Sequence, residues 1–143
     1  MMRPLPLLPG LFLLAAAGAP TAEVEVRVEN LRNLRGVVQI CLTASARAFP
    51  DCAKDPKALT RTVPAAAAGS VRFEGVPPGE YALAVFHDEN GNKKLDTFLG
   101  IPREGFAFSR NPTIRFGPPR FDQARFPVGA GIARMHVRMQ YLL

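Results

Sequence analysis

Oxygen-bearing side chains alternate along the stretch HDENGNKKLDTF, which runs from His87 to Phe98. Calcium-binding loops place ligands at alternate positions, because a tightly wound loop turns every second residue inward and the ion requires about six to eight oxygen atoms. The stretch therefore predicts a candidate calcium site. Its ligands would be the side chains of Asp88, Asn90, Asn92 and Asp96 together with the main-chain carbonyl of Lys94.

Two positions of this loop depart from the calcium-binding pattern. Lys93 occupies the sixth position, where a glycine is expected, and Leu99 occupies the twelfth, where a bidentate glutamate would lie. The lysines of the loop also offset most of its acidic charge, so any calcium affinity is expected to be roughly millimolar. The alternative is a hairpin-type turn at Asn90-Gly91, in which Asp88 caps backbone amides.

A catalytic role for the same stretch is the third interpretation. His87 and Asp88 are adjacent in a predicted strand, and adjacent strand residues face opposite sides, so the two side chains do not form a simple dyad. None of the three serines, Ser45, Ser70 and Ser109, lies in a nucleophile-elbow pattern. A hydrolase would need a pocket that unites His87 with a carboxylate from another strand. We therefore do not expect an enzyme.

The chain opens with MMRPLPLLPGLFLLAAAGAPTA, in which an early arginine is followed by a short apolar run and then by small residues. This arrangement is typical of a secretory signal peptide. The apolar run is too short to span a bilayer and no similar run follows it, so no transmembrane segment is predicted. We expect residues 1–22 to be removed on export, leaving residues 23–143 as a single domain.

The two cysteines, Cys41 and Cys52, are close in sequence. An even number of cysteines in an exported chain favours a disulfide over free thiols. Cys41 lies between Ile40 and Leu42 in the predicted strand VVQICLT, so its side chain faces away from the side that those residues bury. A bridge to Cys52 would close a short loop and contribute about 2 to 3 kcal/mol. The alternative is that each cysteine is a small buried hydrophobic residue.

The chain has a formal net charge of +6, and its arginines are scattered singly. Nucleic-acid-binding surfaces usually cluster their basic residues, often with stacking aromatic side chains, and an exported protein seldom meets nucleic acid. A nucleic-acid partner is therefore not expected. The basic surface is better suited to anionic lipids or glycans.

Apolar and polar residues alternate with a period of two along most of the chain, whereas helical periodicity is nearly absent. In the first such segment Val24, Val26 and Val28 alternate with charged residues. The predicted strands cover residues 24–28, 37–43, 59–63, 71–73, 81–87, 121–128 and 132–142, and the last two form a hairpin across residues 129–131. About seven strands separated by turn residues predict an all-β fold, an antiparallel, immunoglobulin-like β-sandwich.

The predicted strand over residues 81–87 is apolar on both faces, so one face packs on the opposing sheet and the other needs a separate cover. Residues 96–120, called the flap below, are rich in Gly, Pro and Phe. We expect the flap to pack on the sheet, with some of its phenylalanines against Ala82 and Ala84. Alternatively, its aromatic side chains form a surface for a ligand or partner, with Phe98, Phe106, Phe108 and Phe116 as candidates.

The phrases VFHDENGN, LGIPREGFAFS and RFGPPRF resemble a bacterial family of exported proteins known as domain of unknown function 2141. The resemblance begins at LRNLRGVVQICL and covers nearly the whole mature chain. It implies a small periplasmic or secreted β-sandwich of the prealbumin or surface-protein repeat type, without an assigned activity or catalytic residues. That family commonly has a glycine at the position of Lys93, so this departure weakens the calcium interpretation.

Two classes of function stay open. The first is a non-enzymatic binding or adaptor domain, whose partner, a protein, a glycan or a small ligand, would bind at the flap and the loop of residues 88–96. The second is a structural domain stabilised by weakly bound calcium, in which the metal serves folding alone. No other cofactor is indicated. A hydrolase is the third alternative.

Overall fold

The computed structural model describes Met2, Gly10 and residues 20–94, 97–98 and 101–143, with the backbone alone at residues 97–98 and 101. In these ranges the strands are β1 (Ala22–Glu29), β2 (Val37–Thr43), β3 (Leu59–Pro64), β4 (Val71–Val76), β5 (Gly79–Asp88), β6 (Thr97–Phe98), β7 (Ile101–Pro102), β8 (Phe106–Phe108), β9 (Phe126–Val128) and β10 (Gly131–Arg138). Helical structure comprises α1 (Phe121–Ala124) and 3-10 turns at Cys52–Lys54 and Ala65–Ala67. No helix in the described ranges is long and apolar enough to cross a membrane.

Strand β1 is the centre of a three-stranded sheet, with β4 on one side and β10 on the other. β4 runs antiparallel to β1, whereas β10 runs parallel to it, with Val26 opposite Met135. The hairpin predicted between the last two strands is therefore wrong. β9 pairs instead with β5 in the second sheet, so the chain crosses from one sheet to the other after Val128. Periodicity identifies strands but not their pairing partners.

Strands β2 and β5 are the centre of a five-stranded sheet with the order β3-β2-β5-β8, and β9 pairs with the beginning of β5. One edge of β5 pairs with β2 over Ala82–Asp88. The other edge pairs with β9 at Gly79–Tyr81 and with β8 at Ala84–Phe86. β8 belongs to the flap, so part of a segment that the sequence presents as a loop is a strand of the sheet.

The core lies between the two sheets. Val26 of β1, Phe73 of β4 and Leu83 of β5 are fully buried there. Complete burial of a side chain of this size contributes about 1.5 to 3 kcal/mol. The side chains that alternate with them along each strand face outward, which is why a period of two predicted the fold. The all-β sandwich is confirmed.

The segment predicted as a strand over residues 121–128 is only partly extended. Phe121–Ala124 form the one-turn helix α1, and the strand is limited to Phe126–Val128. The helix begins where the Gln123 side chain accepts a hydrogen bond from the Arg120 amide at 2.8 Å. This contact satisfies an amide that has no partner within the helix, and it favours the turn over continued extended structure.

The fully buried Ser109 connects α1 to β5. Its hydroxyl accepts a hydrogen bond from the Leu83 amide at 2.9 Å and donates one to the Ala124 carbonyl at 2.5 Å. The Ser109 amide also donates to the Leu83 carbonyl, which extends the pairing beyond β8. One serine therefore satisfies backbone groups of two elements at a site without water access.

We predict that Ser109→Ala lowers the free energy of unfolding by about 2 kcal/mol, because the buried Leu83 amide and Ala124 carbonyl lose their partner. Urea denaturation of the purified protein measures this difference. Ser70→Ala, at an exposed serine, is the control and should change stability by less than about 0.5 kcal/mol. Equal stability of the two variants would contradict the role of Ser109.

Candidate functional site

The outer face of the five-stranded sheet, turned away from the core, forms the floor of a cleft. Ala84 and Phe86 of β5 point to this face and lie opposite Phe108 and Phe106 of β8, respectively. The residue between the two phenylalanines, Ala107, belongs to the core on the other side. The floor therefore combines aromatic side chains with a small residue at Ala84, which leaves space above it.

A second hydrophobic cluster covers this outer face. Its members are Phe49, Ala82, Phe106, Phe108 and Ala124, with Ala84, Ile114 and Phe121 packed against them. The Phe49 ring lies edge-on to the rings of Phe108 and Phe121, with centroids 5.7 and 6.1 Å apart. Such contacts add to the stabilisation from burial alone. The flap thus packs on the sheet against Ala82 and Ala84, as the sequence predicted.

The disulfide between Cys41 and Cys52 holds one wall of the cleft. The Cα atoms of the two cysteines are 6.1 Å apart, within the usual range for such bonds. Cys41 lies beside Ala84 in the register of β2 and β5 and points to the outer face. Pro50, which lies within the loop that the bridge closes, lines the cleft. The bridge therefore fastens this loop over the floor.

The cleft has a volume of about 690 Å³, which is within the range of small-molecule sites. Its walls come from β5, β8, the loop before Cys52, the flap and the residues after β10. The described lining residues are Pro50, Asp51, Ala84, Val85, Phe86, Pro102, Phe106, Phe108, Ile114, Arg115, Phe116, Gly117, Pro118 and Leu142. Most of these side chains are apolar, so the cleft is suited to an apolar molecule.

The four phenylalanines predicted as a ligand surface have different positions. Phe106 and Phe108 belong to the floor, whereas Phe116 is at the rim with 98% of its surface exposed. The side chain of Phe98 lies outside the described part of the chain. Sequence reasoning missed the contributions of Ala84 and Pro50. The predicted disulfide was the available signal for Pro50, because a bridge from the outer face draws the preceding loop over the sheet.

The candidate calcium loop forms a tight turn at the end of β5. The Asp88 carboxylate is fully buried and accepts hydrogen bonds from the amides of Asn92 at 3.1 Å and Lys93 at 2.7 Å. The Asn90 side chain also accepts from the Asn92 amide, at 3.2 Å, and the Asn92 side chain accepts from the Lys94 amide, at 2.9 Å. The polar side chains of this loop thus cap its own backbone.

The backbone of the loop is left-handed at Gly91 and again at Lys93, whose φ values are +69° and +63°. At Lys93 this conformation is costly, because the residue has a Cβ atom, and it falls at the sixth position, where calcium loops have glycine. Asp96 lies outside the described residues. Across the ranges that the structure describes, no group of three or more His, Cys, Asp or Glu side chains is arranged to hold a metal.

The His87 imidazole is fully buried at the core side of β5. Its Nε2 donates to the Arg35 carbonyl at 2.7 Å, and its Nδ1 forms a hydrogen bond with the Tyr141 hydroxyl at 2.9 Å. The Glu89 carboxylate is 3.9 Å from Nδ1, but Glu89 directly follows β5 and does not come from another strand. Both nitrogens of His87 are therefore occupied, and neither faces the cleft.

Arg32 fastens the residues after β10 to the end of β5. Its Nε donates to the Glu89 carboxylate at 2.6 Å, its guanidinium lies 4.6 Å from the Tyr141 ring centroid, and it also donates to the Leu143 carbonyl. Burial raises the pKa of Glu89, but the hydrogen bond and charge of Arg32 outweigh it and hold that pKa below its ordinary value. The network places Leu142 beside the cleft.

Comparison with known families agrees with this architecture. A family model described as an uncharacterised protein conserved in bacteria (DUF2141) matches residues 26–136. The chain belongs to this family. The DUF2141 match begins within β1 and ends within β10, so it includes both sheets and the flap. No curated protein and no solved structure matches the chain.

We predict that replacing both cysteines, Cys41→Ala with Cys52→Ala, lowers the free energy of unfolding by about 2 to 3 kcal/mol, because the unfolded chain gains the freedom of an open loop. Urea denaturation measures the change. A reducing agent should destabilise the natural protein by a similar amount and leave the double variant unaffected. Insensitivity of the natural protein to reduction would contradict a stabilising bridge.

Proposed function

We propose that this DUF2141 protein is an exported, non-catalytic binding module that takes an apolar ligand into the cleft. The observation that supports it most is the cleft of about 690 Å³ between the flap and the floor formed by Ala84, Phe106 and Phe108. An apolar ligand that leaves water for such a site gains roughly 25 cal/mol for each Å² of surface buried. The family assignment supplies no activity, so the proposal rests on this geometry.

The cleft is built on a rigid frame, which favours binding. Its floor consists of paired strands, and its Pro50 wall is fastened by the Cys41–Cys52 bridge. A site that is already formed loses little conformational entropy when a ligand enters, so more of the contact energy appears as affinity. These features support a binding role over a purely structural one.

Two features support export. Residues 1–22 have the charge and hydropathy arrangement of a signal peptide. The Cys41–Cys52 bridge is the second, because structural disulfides persist mainly in oxidising compartments such as the periplasm. We therefore propose that the module acts in the periplasm or outside the cell.

We predict that the protein binds a neutral apolar dye such as Nile red, and that Ala84→Phe weakens this binding at least about tenfold because the added ring occupies the cleft. Fluorescence titration measures the affinity. The matched control is Ala66→Phe, at an exposed alanine outside the cleft, which should bind as the natural protein does. Thermal melting verifies that both variants are folded.

Two results would contradict this proposal. One is the absence of dye binding to the natural, folded protein. The other is unchanged affinity in folded Ala84→Phe, which would place the dye elsewhere on the surface.

Calcium binding at the loop of residues 88–94 is a second candidate function. The observation that favours it is the left-handed backbone at Lys93. This is the sixth position of the loop, where calcium loops have a glycine for a sharp turn. The Asp88 carboxylate already accepts two amide hydrogen bonds, and two lysines follow it, so the expected affinity is low. In this role the ion would stabilise the end of β5.

If the dissociation constant is about 1 mM, about 10 mM calcium should raise the free energy of unfolding by about 1.4 kcal/mol. Thermal melting with calcium, and with magnesium at the same concentration, measures the effect. Asn90→Ala should abolish the calcium shift while retaining the Asp88 cap, and Asn33→Ala, outside the loop, should retain it. Equal melting temperatures with and without calcium would exclude this candidate.

A further inference from the structure

We propose that the ligand of the cleft is a single-chain amphiphile with an acidic head group, whose chain lies on Ala84, Phe106 and Phe108 and whose head group binds Arg115. This inference rests on the proposed function and specifies the chemistry of the ligand. Its basis is the arrangement of the few polar groups around the cleft.

The polarity of the walls selects against ligands with many hydrogen-bonding groups. Among the described lining residues only two side chains are polar, Asp51 and Arg115. A glycan or a peptide would leave most of its hydroxyl or amide groups without partners on such walls, and each unsatisfied group costs free energy. A hydrocarbon chain has no such groups. The walls therefore favour an aliphatic chain with polarity confined to one end.

Arg115 is the group that can bind the polar end. Its side chain is exposed and forms no hydrogen bond or ion pair with any residue that the structure describes. Some arginines of the chain are engaged, such as Arg32 with Glu89 and Arg72 with Glu23. Others, such as Arg134, are as free of described partners as Arg115 but do not line the cleft. A guanidinium binds carboxylate, phosphate or sulfonate groups with two parallel hydrogen bonds, so a free one beside an apolar wall is suited to an acidic head group.

The carboxylate of Asp51, the acidic group among the described lining residues, already forms contacts within its own loop. One carboxylate oxygen accepts a hydrogen bond from the Ala53 amide at 3.1 Å, and the other lies 4.0 Å from the Lys54 ammonium group. These contacts offset its charge and orient it toward the 3-10 turn. The net charge of the whole chain, +6, acts in the same direction as Arg115 and favours an anionic ligand.

The mouth of the cleft carries apolar groups that a long chain would cover. Phe116 is 98% exposed and Leu142 is 51% exposed, and both line the cleft. A bound aliphatic chain would remove part of this apolar surface from water, which favours binding. Because Phe116 follows Arg115 directly, a bound head group at the arginine would bring the first methylene groups of the chain to the phenylalanine.

The test is displacement of Nile red from the mature protein by dodecanoate, 1-dodecanol and dodecyltrimethylammonium. The two ionic compounds are kept below their micelle concentrations, and dodecanol is kept below its solubility limit. We expect dodecanoate to bind about two- to fivefold more tightly than dodecanol, because its carboxylate would form a charge-assisted pair with an exposed guanidinium. The cationic amphiphile should bind most weakly. Arg115→Gln should remove the preference for dodecanoate over dodecanol. Arg134→Gln, at an exposed arginine on β10, is the matched control and should retain it.

The outcomes separate this inference from the proposed function. Equal affinities for dodecanoate and dodecanol would contradict the inference that the ligand has an acidic head group. The proposed function, binding of an apolar ligand in the cleft, would still stand. A preference for dodecanoate that persists in Arg115→Gln would overturn the assignment of Arg115. Displacement by none of the three compounds, although the dye binds, would overturn the amphiphile itself. Absence of dye binding would overturn the proposed function as well.

Discussion

Strand β5 must exclude water from both of its faces, and much of the rest of the structure depends on that constraint. Its Leu83 and Val85 are buried in the core between the sheets, whereas Ala82 and Ala84 belong to the opposite face. A sandwich of two sheets covers only one face of each sheet, so a third layer is needed over β5. The flap, the loop closed by the disulfide and α1 together form this layer. This third layer leaves the floor uncovered above Ala84, and the cleft occupies that gap.

Much of the fold was predictable because the burial of one or both faces of a strand determines where apolar residues occur in its sequence. The alternation in VEVRV predicts a strand with one buried face, and the continuous apolar run YALAVF predicts a strand covered on both faces. Pairing was not predictable in the same way. β10 lies parallel to β1 and β9 pairs with β5, and both arrangements depend on contacts between distant parts of the chain. The helix α1 was missed because its start depends on a single side-chain contact, between Gln123 and Arg120.

The candidate site was predictable in outline and not in detail. Composition indicated that the phenylalanines of the flap either pack on the sheet or form a surface for a ligand. In the structure Phe108 is buried and Phe116 is exposed. What distinguishes them is position, because Phe108 is paired with Ala84 in a strand and Phe116 lies in an irregular stretch. Residue type alone does not encode that difference. The Asp88 loop was predictable as a turn because its polar side chains lie at the spacing that satisfies neighbouring amides.

Ala84 is a residue that stability alone does not favour at its position. Alanine is depleted in strands because it buries little surface, and a larger aliphatic side chain at Ala84 would fill part of the cleft. Arg115 lines the same cleft and has no hydrogen-bond or ion-pair partner in the described part of the chain. Departures from stability concentrate where a protein serves a function, and the one at Ala84 lies on the floor of the cleft. The Asp88 loop shows the opposite pattern, since its carboxylate stabilises the loop's own amides. The proposed binding role is therefore placed at the cleft before the loop.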